Sequence, residues 1–473
     1  MKLYSRLLLV IIAVSLLFSS CKKVDTIAPV ETTREGQIKL PQSAIVIPVN
    51  YRVSELEAMI NKKIQGTVLK KWMVLGEKGD SLFLEISKTS PIKVHRIDRT
   101  IYYNVPVTIS GQYITKFAGI RIANATPVRT SIVLNMASKF HMGPKWDLIS
   151  ESELLNIEWK EDPTIKIAGL KINLRPVFEK VIKEKSQELT AKADEALLHL
   201  INTRKVVNKL WLDIQKPIVI NKQKKIVYLK PYCKDMTGRL LETEPDLISL
   251  QFELKSEVRT YIEGDSIPAS NKVLHDFRIK ENDKDSLIVY VHSAVTFNVL
   301  NEILNQELAG KKIEKKGLDV KIKKLRVYGT DTGIAVEIDV SGAINGSLYA
   351  MGNIKFDSTS KVVGVRDLNF VLNTQNILAN SANWFLHSNV LELIAGKLEF
   401  NTETLADKLP QIIMNAVEKG KTGQKIDINM GHLDIWPQQV LVTKNDIQLL
   451  VRASGKGSVD LEQKVFDGKK EKK

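Results

Sequence analysis

The chain has 473 residues, 44% of them hydrophobic and 26% charged, with a formal charge of +15, which is the composition of an ordinary globular protein with room for two or three domains. Its two cysteines, Cys21 and Cys233, exclude a disulfide framework, so stability has to come from core burial. The excess of lysine and arginine suits anionic lipid headgroups and equally suits a merely soluble surface.

Met1–Ser20 reads as an export signal. Lys2 and Arg6 form a positive start, and the apolar run Leu7–Phe18 is shorter than the roughly 20 residues that span a bilayer as a helix. Leu17-Phe18-Ser19-Ser20-Cys21 resembles a lipobox, with Phe18 where a smaller aliphatic residue is commoner. It predicts cleavage before Cys21 and acylation of its thiol, so that acyl chains on Cys21 hold the protein to a membrane. Lys22 and Lys23 follow with no acidic neighbour, which points to the outer membrane of a Gram-negative envelope. Export also removes nucleic acid as a partner. Residues 21–42, with Pro29 and Pro41, read as a tether.

An internal repeat organises the rest. IVIPVNYRVSELEAMINKKIQG at Ile45–Gly66 and VYVHSAVTFNVLNEILNQELAG at Val289–Gly310 share a pattern: aligning Asn61 with Asn305 also aligns Leu56 with Leu300 and Gly66 with Gly310. Ile45, Ile47, Tyr51 and Val53 match Val289, Val291, Val295 and Phe297 as one face of a strand. A helix follows in each copy. Ser54 with Glu57 predicts a capping box in the first, and Asn298 a cap in the second. Leu56, Met59, Ile60 and Ile64 share one helical face, as do Leu300, Ile303, Leu304 and Leu308. Gly66 and Gly310 stop the two helices.

Strands follow each copy. Thr100–Ser110 alternates Ile101, Tyr103, Val105, Val107 and Ile109, with Pro106 marking an edge or bulge. Val177–Gln215 lacks Pro and Gly and predicts a helix of roughly 50 Å. Residues 218–263 read as a strand-rich connector. In the second half Ile334, Val336, Ile338 and Val340 alternate after a Gly329–Gly333 turn, and Asn345-Gly346 signals a tight hairpin. Ile377–Ala395 and Thr402–Val417 look helical, with Pro410 dividing the second.

These readings place a signal at 1–20, a tether at 21–42, a first αβ unit at 43–215, a central sheet at 216–270, a second αβ unit at 271–465 and a basic tail at 466–473. Two αβ units, each opening on strand and short helix and closing on a long helix, resemble the tubular lipid-binding superfamily of the bactericidal/permeability-increasing type. The whole also looks like a Gram-negative lipoprotein family known only as a domain of unknown function, through the opening and repeat segments and the run from Trp384 to Gly455. The resemblance implies an α+β fold of two pseudo-repeated domains, each a curved antiparallel sheet wrapped around a long helix and joined by a central sheet. It also implies an apolar cavity, for which Leu56, Met59, Ile60, Ile64, Leu300, Ile303, Leu304 and Leu308 are the candidate lining. The same eight residues fit an ordinary core.

A search for reactive sites returns little. None of the 7 histidines has a partner at metal-ligand spacing, and HExxH, GxSxG, phosphate-cradling and dinucleotide motifs are absent from the sequence. Ser358-Thr359-Ser360-Lys361 has Ser–Lys spacing but joins two predicted strands, whereas that chemistry wants the serine opening a helix. Cys233 reads as a small buried residue. No cofactor, metal or catalytic residue is nominated. The sequence thus favours a membrane-anchored lipoprotein that binds, and in one version transfers, a lipid or other apolar ligand. The alternatives are a structural or assembly protein docking an envelope partner, and a hydrolase with an unrecognised site.

Overall fold

The computed structural model describes residues 23–461 apart from residues 25, 76–79, 118–119, 124–126, 168–169, 201–202, 223, 242–243, 280–286, 316–317, 380–385, 404–405 and 412–425. The signal 1–20, Cys21 and the tail 466–473 lie outside the described residues. The α+β class holds. The chain is mostly antiparallel sheet curled into half-barrels, with helices packed on it.

A nine-stranded sheet holds the centre. Strands Val227–Leu241 and Leu247–Ile262 alternate apolar and polar residues and pair antiparallel along nearly their whole length, with a bulge between Cys233 and Asp235. The opening strand Ser43–Arg52 pairs antiparallel with the second of these, from Arg52 opposite Leu247 to Ser43 opposite Ser256. Its counterpart in the repeat, Leu287–Thr296, meets the same strand at Val258 and Val291 and pairs antiparallel with Asp446–Gly455. The central sheet therefore recruits the first strand of each half as well as the connector.

The first-half sheet runs Thr67–Leu75, Asp80–Lys88, Thr100–Phe117, Val128–Met142 and Leu148–Trp159, with Lys93–Ile97 beside the third of these. Pro106 sits where Asp80–Lys88 has ended and Lys93–Ile97 has not begun, so its missing N–H costs no ladder bond; its carbonyl accepts from the Thr89 amide at 3.2 Å. Phe178, Val181 and Ile182 pack on Leu82, Leu84, Ile86, Val107 and Ile109. Gly111 makes room for this, since a Cβ there would lie 2.4 Å from Phe178 Cζ. The single long helix expected over Val177–Gln215 is instead three: Arg175–Glu184, Ser186–Leu200 and Thr203–Asp213. At the first break the Ser186 hydroxyl donates to the Lys183 carbonyl at 2.7 Å, offering the backbone a competing bond. The bends let the apolar stripe follow a curved sheet.

The second-half sheet runs Lys312–Lys315, Leu318–Gly329, Ile334–Gly342, Asn345–Asp357, Val362–Phe370 and Glu399–Asn401. Here too no long helix closes the unit among the described residues; Leu372–Ala379 and Leu386–Ala395 are short, and half of 402–417 lies outside them. Pro410 lies in the helical stretch 406–411. The hairpin at Asn345-Gly346 forms, but not as a two-residue turn. Val340 pairs with Gly346, and the intervening loop tucks Ile344 into the core at 2% exposure. Residues 26–42, read as a tether, carry no regular secondary structure yet lie against the body, with Thr32 and Ile38 each 4% exposed.

The repeat is visible at its opening. Helices Val53–Lys63 and Phe297–Leu308 start at equivalent positions, and Gly66 and Gly310 follow them with φ of +68° and +87°. The caps differ from expectation. Each helix begins two residues earlier, so Arg52 caps the first without a side-chain bond, and Thr296 caps the second by accepting from the Val299 amide at 3.4 Å. Glu57, released from capping, accepts from the Val94 amide at 2.9 Å. Asn61 donates to the Glu57 and Ile92 carbonyls and accepts from the Ile92 amide at 2.7 Å. Asn305 donates to the Asn301 and Leu325 carbonyls and accepts from the Leu325 amide at 2.8 Å. One amide in each half thus clips its helix to the neighbouring chain. Asn305→Ala removes three hydrogen bonds and strands backbone groups, and is expected to cost about 2–3 kcal/mol in urea denaturation. Gln306→Ala, on the exposed face of the same helix, is expected to cost less than about 0.5 kcal/mol.

Candidate functional site

A cavity of about 560 Å³ opens where the first-half sheet, helix Thr203–Asp213 and the central sheet meet. Strand alternation builds one wall: Ile248, Leu250 and Phe252 face the cavity, while Ser249, Gln251 and Glu253 between them are buried on the opposite face. Val49 and Tyr51 continue this wall from the opening strand, and Leu56 adds the start of the first repeat helix. Phe140, Met142 and Leu148 come from the first-half sheet, Val207 and Leu210 from the helix above. The Tyr51 hydroxyl points away to Met59 Sδ at 3.7 Å, and burial pushes its pKa well above the usual phenol range.

Charged groups gather at one side. Arg96, Asp98, Arg99, His141 and Arg239 all border the cavity. Asp98 takes φ of +53° in the turn that joins Ile97 to Thr100, which folds Arg96 back under the hairpin. Buried at 7% exposure, the Arg96 guanidinium donates to the Asp98 carbonyl and, at 2.7 Å, to the Glu244 carbonyl. Arg239 Nε donates to Gln251 Oε1 at 2.8 Å. The result is an apolar hollow bordered by Arg96 and Arg99, with the Arg239 guanidinium turned to Gln251 on the other face of the sheet, suited to a ligand that is oily along its length and anionic at one end.

An irregular segment, residues 266–279, brings Phe277 and Ile279 to the lining. Tryptophans hold it in place. Trp146 Nε1 donates to the His275 carbonyl and Trp211 Nε1 to the Asn271 carbonyl, each at 2.7 Å. The Phe277 ring meets Trp146 edge-on at 5.1 Å. Beneath it, Lys230 is 2% exposed; its ammonium donates to the Gln215 carbonyl and to Ser270 Oγ, and burial lowers its pKa.

Of the eight residues nominated from sequence, Leu56 borders this cavity. Met59 and Ile60 are buried beside it in a cluster with Tyr51, Ile101, Tyr103 and Met136, and Ile64 packs against that cluster. Leu304 and Leu308 are buried in the second-half core, where Leu300 packs on them, and Ile303 is half-buried. The residues that sequence reasoning missed are Ile248, Leu250 and Phe252, although their alternation was legible; it reads as a half-buried strand whichever object lies against it. Phe140, Val207 and Phe277 converge only through tertiary structure.

Among the described residues no other such cluster assembles. Among the described residues no group of three His, Cys, Asp or Glu side chains is placed to hold a metal, and no helix is long and apolar enough to cross a membrane. His292 is buried between Arg259 and Gln448, and burial lowers its pKa. Ser358–Lys361 turns between two strands; Ser360 Oγ donates to Asp357 Oδ2 at 2.7 Å, and Lys361 Nζ sits 3.8 Å over the Trp436 ring.

The sequence matches the family described as a domain of unknown function, DUF4403, over residues 41–461, and the chain belongs to that family. No curated protein matches it. Among solved structures, lipopolysaccharide binding protein is similar at 10% identity and a TM-score of 0.29, over 89% of this chain and 99% of that one. P47 of Clostridium botulinum E1 is similar at 8% identity and a TM-score of 0.20, over 88% of this chain and 100% of that one.

Cys233 stands at the edge of this region, fully buried with Trp146 and Trp211, and burial pushes its thiol from 9.0 up to about 12. The unfolded chain therefore loses this proton first, and the thiol lowers stability as pH rises past about 9 while having no effect below it. In a Cys21→Ser background, Cys233 is expected to react with a disulfide-exchange reagent at pH 8 only after denaturant is added, read as thiolate absorbance; prompt reaction of the native protein would contradict this burial.

Proposed function

We propose that this protein is an envelope lipoprotein, held to the outer membrane by acyl chains on Cys21, that binds a lipid or related amphiphile in the cavity between its first-half sheet and its central sheet. The observation that carries the reading is the cavity itself, whose volume of about 560 Å³ falls in the range of small-molecule sites. Apolar walls would take an acyl chain, at about 0.8 kcal/mol for each methylene removed from water. Arg96 and Arg99 would favour an anionic head. The role is carriage or retention rather than catalysis. The matching Asn61 and Asn305 clips support a common origin for the two halves, which is the part of the tubular-fold expectation that this reading keeps.

The test uses the Cys21→Ser chain purified without detergent. Native mass spectrometry is expected to find a co-purifying lipid, and a fluorescent fatty acid is expected to bind with displacement by phospholipid. Leu250→Trp, which projects a larger side chain from the cavity wall, should weaken probe binding at least tenfold, about 1.4 kcal/mol, without lowering the melting temperature. A protein that carries no lipid and takes up no probe would sink the proposal.

A further inference from the structure

Residues 23–42 are fastened to the second half along their length. Lys23 and Val24 add a short parallel strand beside Asn345 and Gly346. Thr26 Oγ1 donates to the Ser347 carbonyl, and the Tyr328 hydroxyl donates to the Pro29 carbonyl at 3.1 Å. Glu31 pairs with Arg326, and Glu35 with Lys444. The Thr32 amide donates to the Gly329 carbonyl at 2.9 Å, and its hydroxyl to Asp331 Oδ1 at 2.7 Å. Gln448 holds both ends of the next tripeptide, donating to the Gly36 carbonyl and accepting from the Ile38 amide, each at 2.9 Å. A free linker of this length would let the body range about 25 Å from its anchor. Fastened this way, the segment is held as far as Lys23, two residues from Cys21, a separation of at most about 7 Å along the chain.

The chain therefore departs from the body at one end of the second-half sheet, beside the 341–345 turn. That end is basic. Ser341 stands opposite Lys321, and Lys321 opposite Lys312, in one row across three strands. Val320 and Ile322 turn into the core at 0% exposure, which sets Lys321 and Lys323 on the outer face. Like charges directly opposite destabilise a sheet. Among the described residues, none of the exposed lysines Lys311, Lys312, Lys321, Lys323 and Lys324 has an ion-pair partner. Glu314 and Asp319, opposite each other in the same hairpin, leave the excess positive.

We propose that this sheet end, with Lys312, Lys321 and Lys323 beside the exit of the chain at Lys23, is the face seated on the anionic headgroups of the membrane that holds the protein. The inference rests on the reading of Cys21 as acylated. Screening confines headgroup attraction to about 8–10 Å, and a segment fastened as far as Lys23, two residues from the acylated position, is what keeps the lysines inside that range.

The full-length acylated protein is reconstituted into phosphatidylcholine vesicles with about one third phosphatidylglycerol, and a fluorophore on Ser341→Cys is read against a headgroup-attached quencher. Strong quenching is expected, falling at least threefold when Thr32→Pro and Ile38→Asp release the segment. As a variant that cannot act through folding, Lys312→Glu with Lys321→Glu on the soluble Cys21→Ser chain should weaken binding to the same vesicles at least tenfold and leave binding to pure phosphatidylcholine unchanged. An acylated chain with an unquenched label, or lysine variants that bind anionic vesicles as well as the parent, would overturn this orientation alone. Mass spectrometry showing no acyl group on Cys21 would overturn the anchor and the orientation together.

Discussion

The antiparallel pairing of Ser43–Arg52 with Leu247–Ser256 is the constraint on which the rest depends. It carries the first half onto the central sheet and sets Val49 and Tyr51 in line with Ile248, Leu250 and Phe252 to make one continuous wall. Register is what matters here. A slip of one residue would turn Ser249 and Gln251 toward the cavity and the apolar trio away from it. Side-chain bonds hold the register: Ser249 Oγ donates to Asn50 Oδ1 at 2.7 Å, and Gln251 accepts from Arg239.

Polar residues do more of the positioning than their exposure in the sequence suggests. The Asn61 and Asn305 amides, Gln448 under the N-terminal segment and Gln215 under the 266–279 segment each satisfy backbone groups that no strand or helix partners. Each is a neutral group with both donor and acceptor, which allows burial without a charge to desolvate. The latter segment in particular lacks apolar anchors apart from Leu274 and Phe277 and hangs on bonds from Trp146, Trp211 and Gln215.

Much of the local structure was legible in the sequence, because period-two and helical patterns state which residues turn inward. The repeat, its glycine stops, the break at Pro106 and the buried Cys233 all followed from such patterns. The caps were misplaced by two residues because strand pairing at Arg52 and Thr296 fixes where each helix begins, and pairing is a long-range fact. The single helix over Val177–Gln215 failed for a related reason: absence of Pro and Gly permits a helix but does not keep it straight against a curved sheet. Nor could the cavity be read. Its lining comes from six separated stretches, and an apolar face looks alike whether it meets another side chain or a void.

The opening strand has a temporal consequence. Its neighbours lie about 200 residues later at Leu247–Ser256 and near the end of the described chain, where Val49 stands beside Val459. A chain delivered from its N-terminus must hold Ile45, Ile47 and Val49 unpaired while most of its length is still arriving, and contacts this distant in sequence form slowly. Folding of this chain therefore passes through an interval in which an oily strand edge lies open to other chains, so chaperones that shield such edges bear directly on its yield.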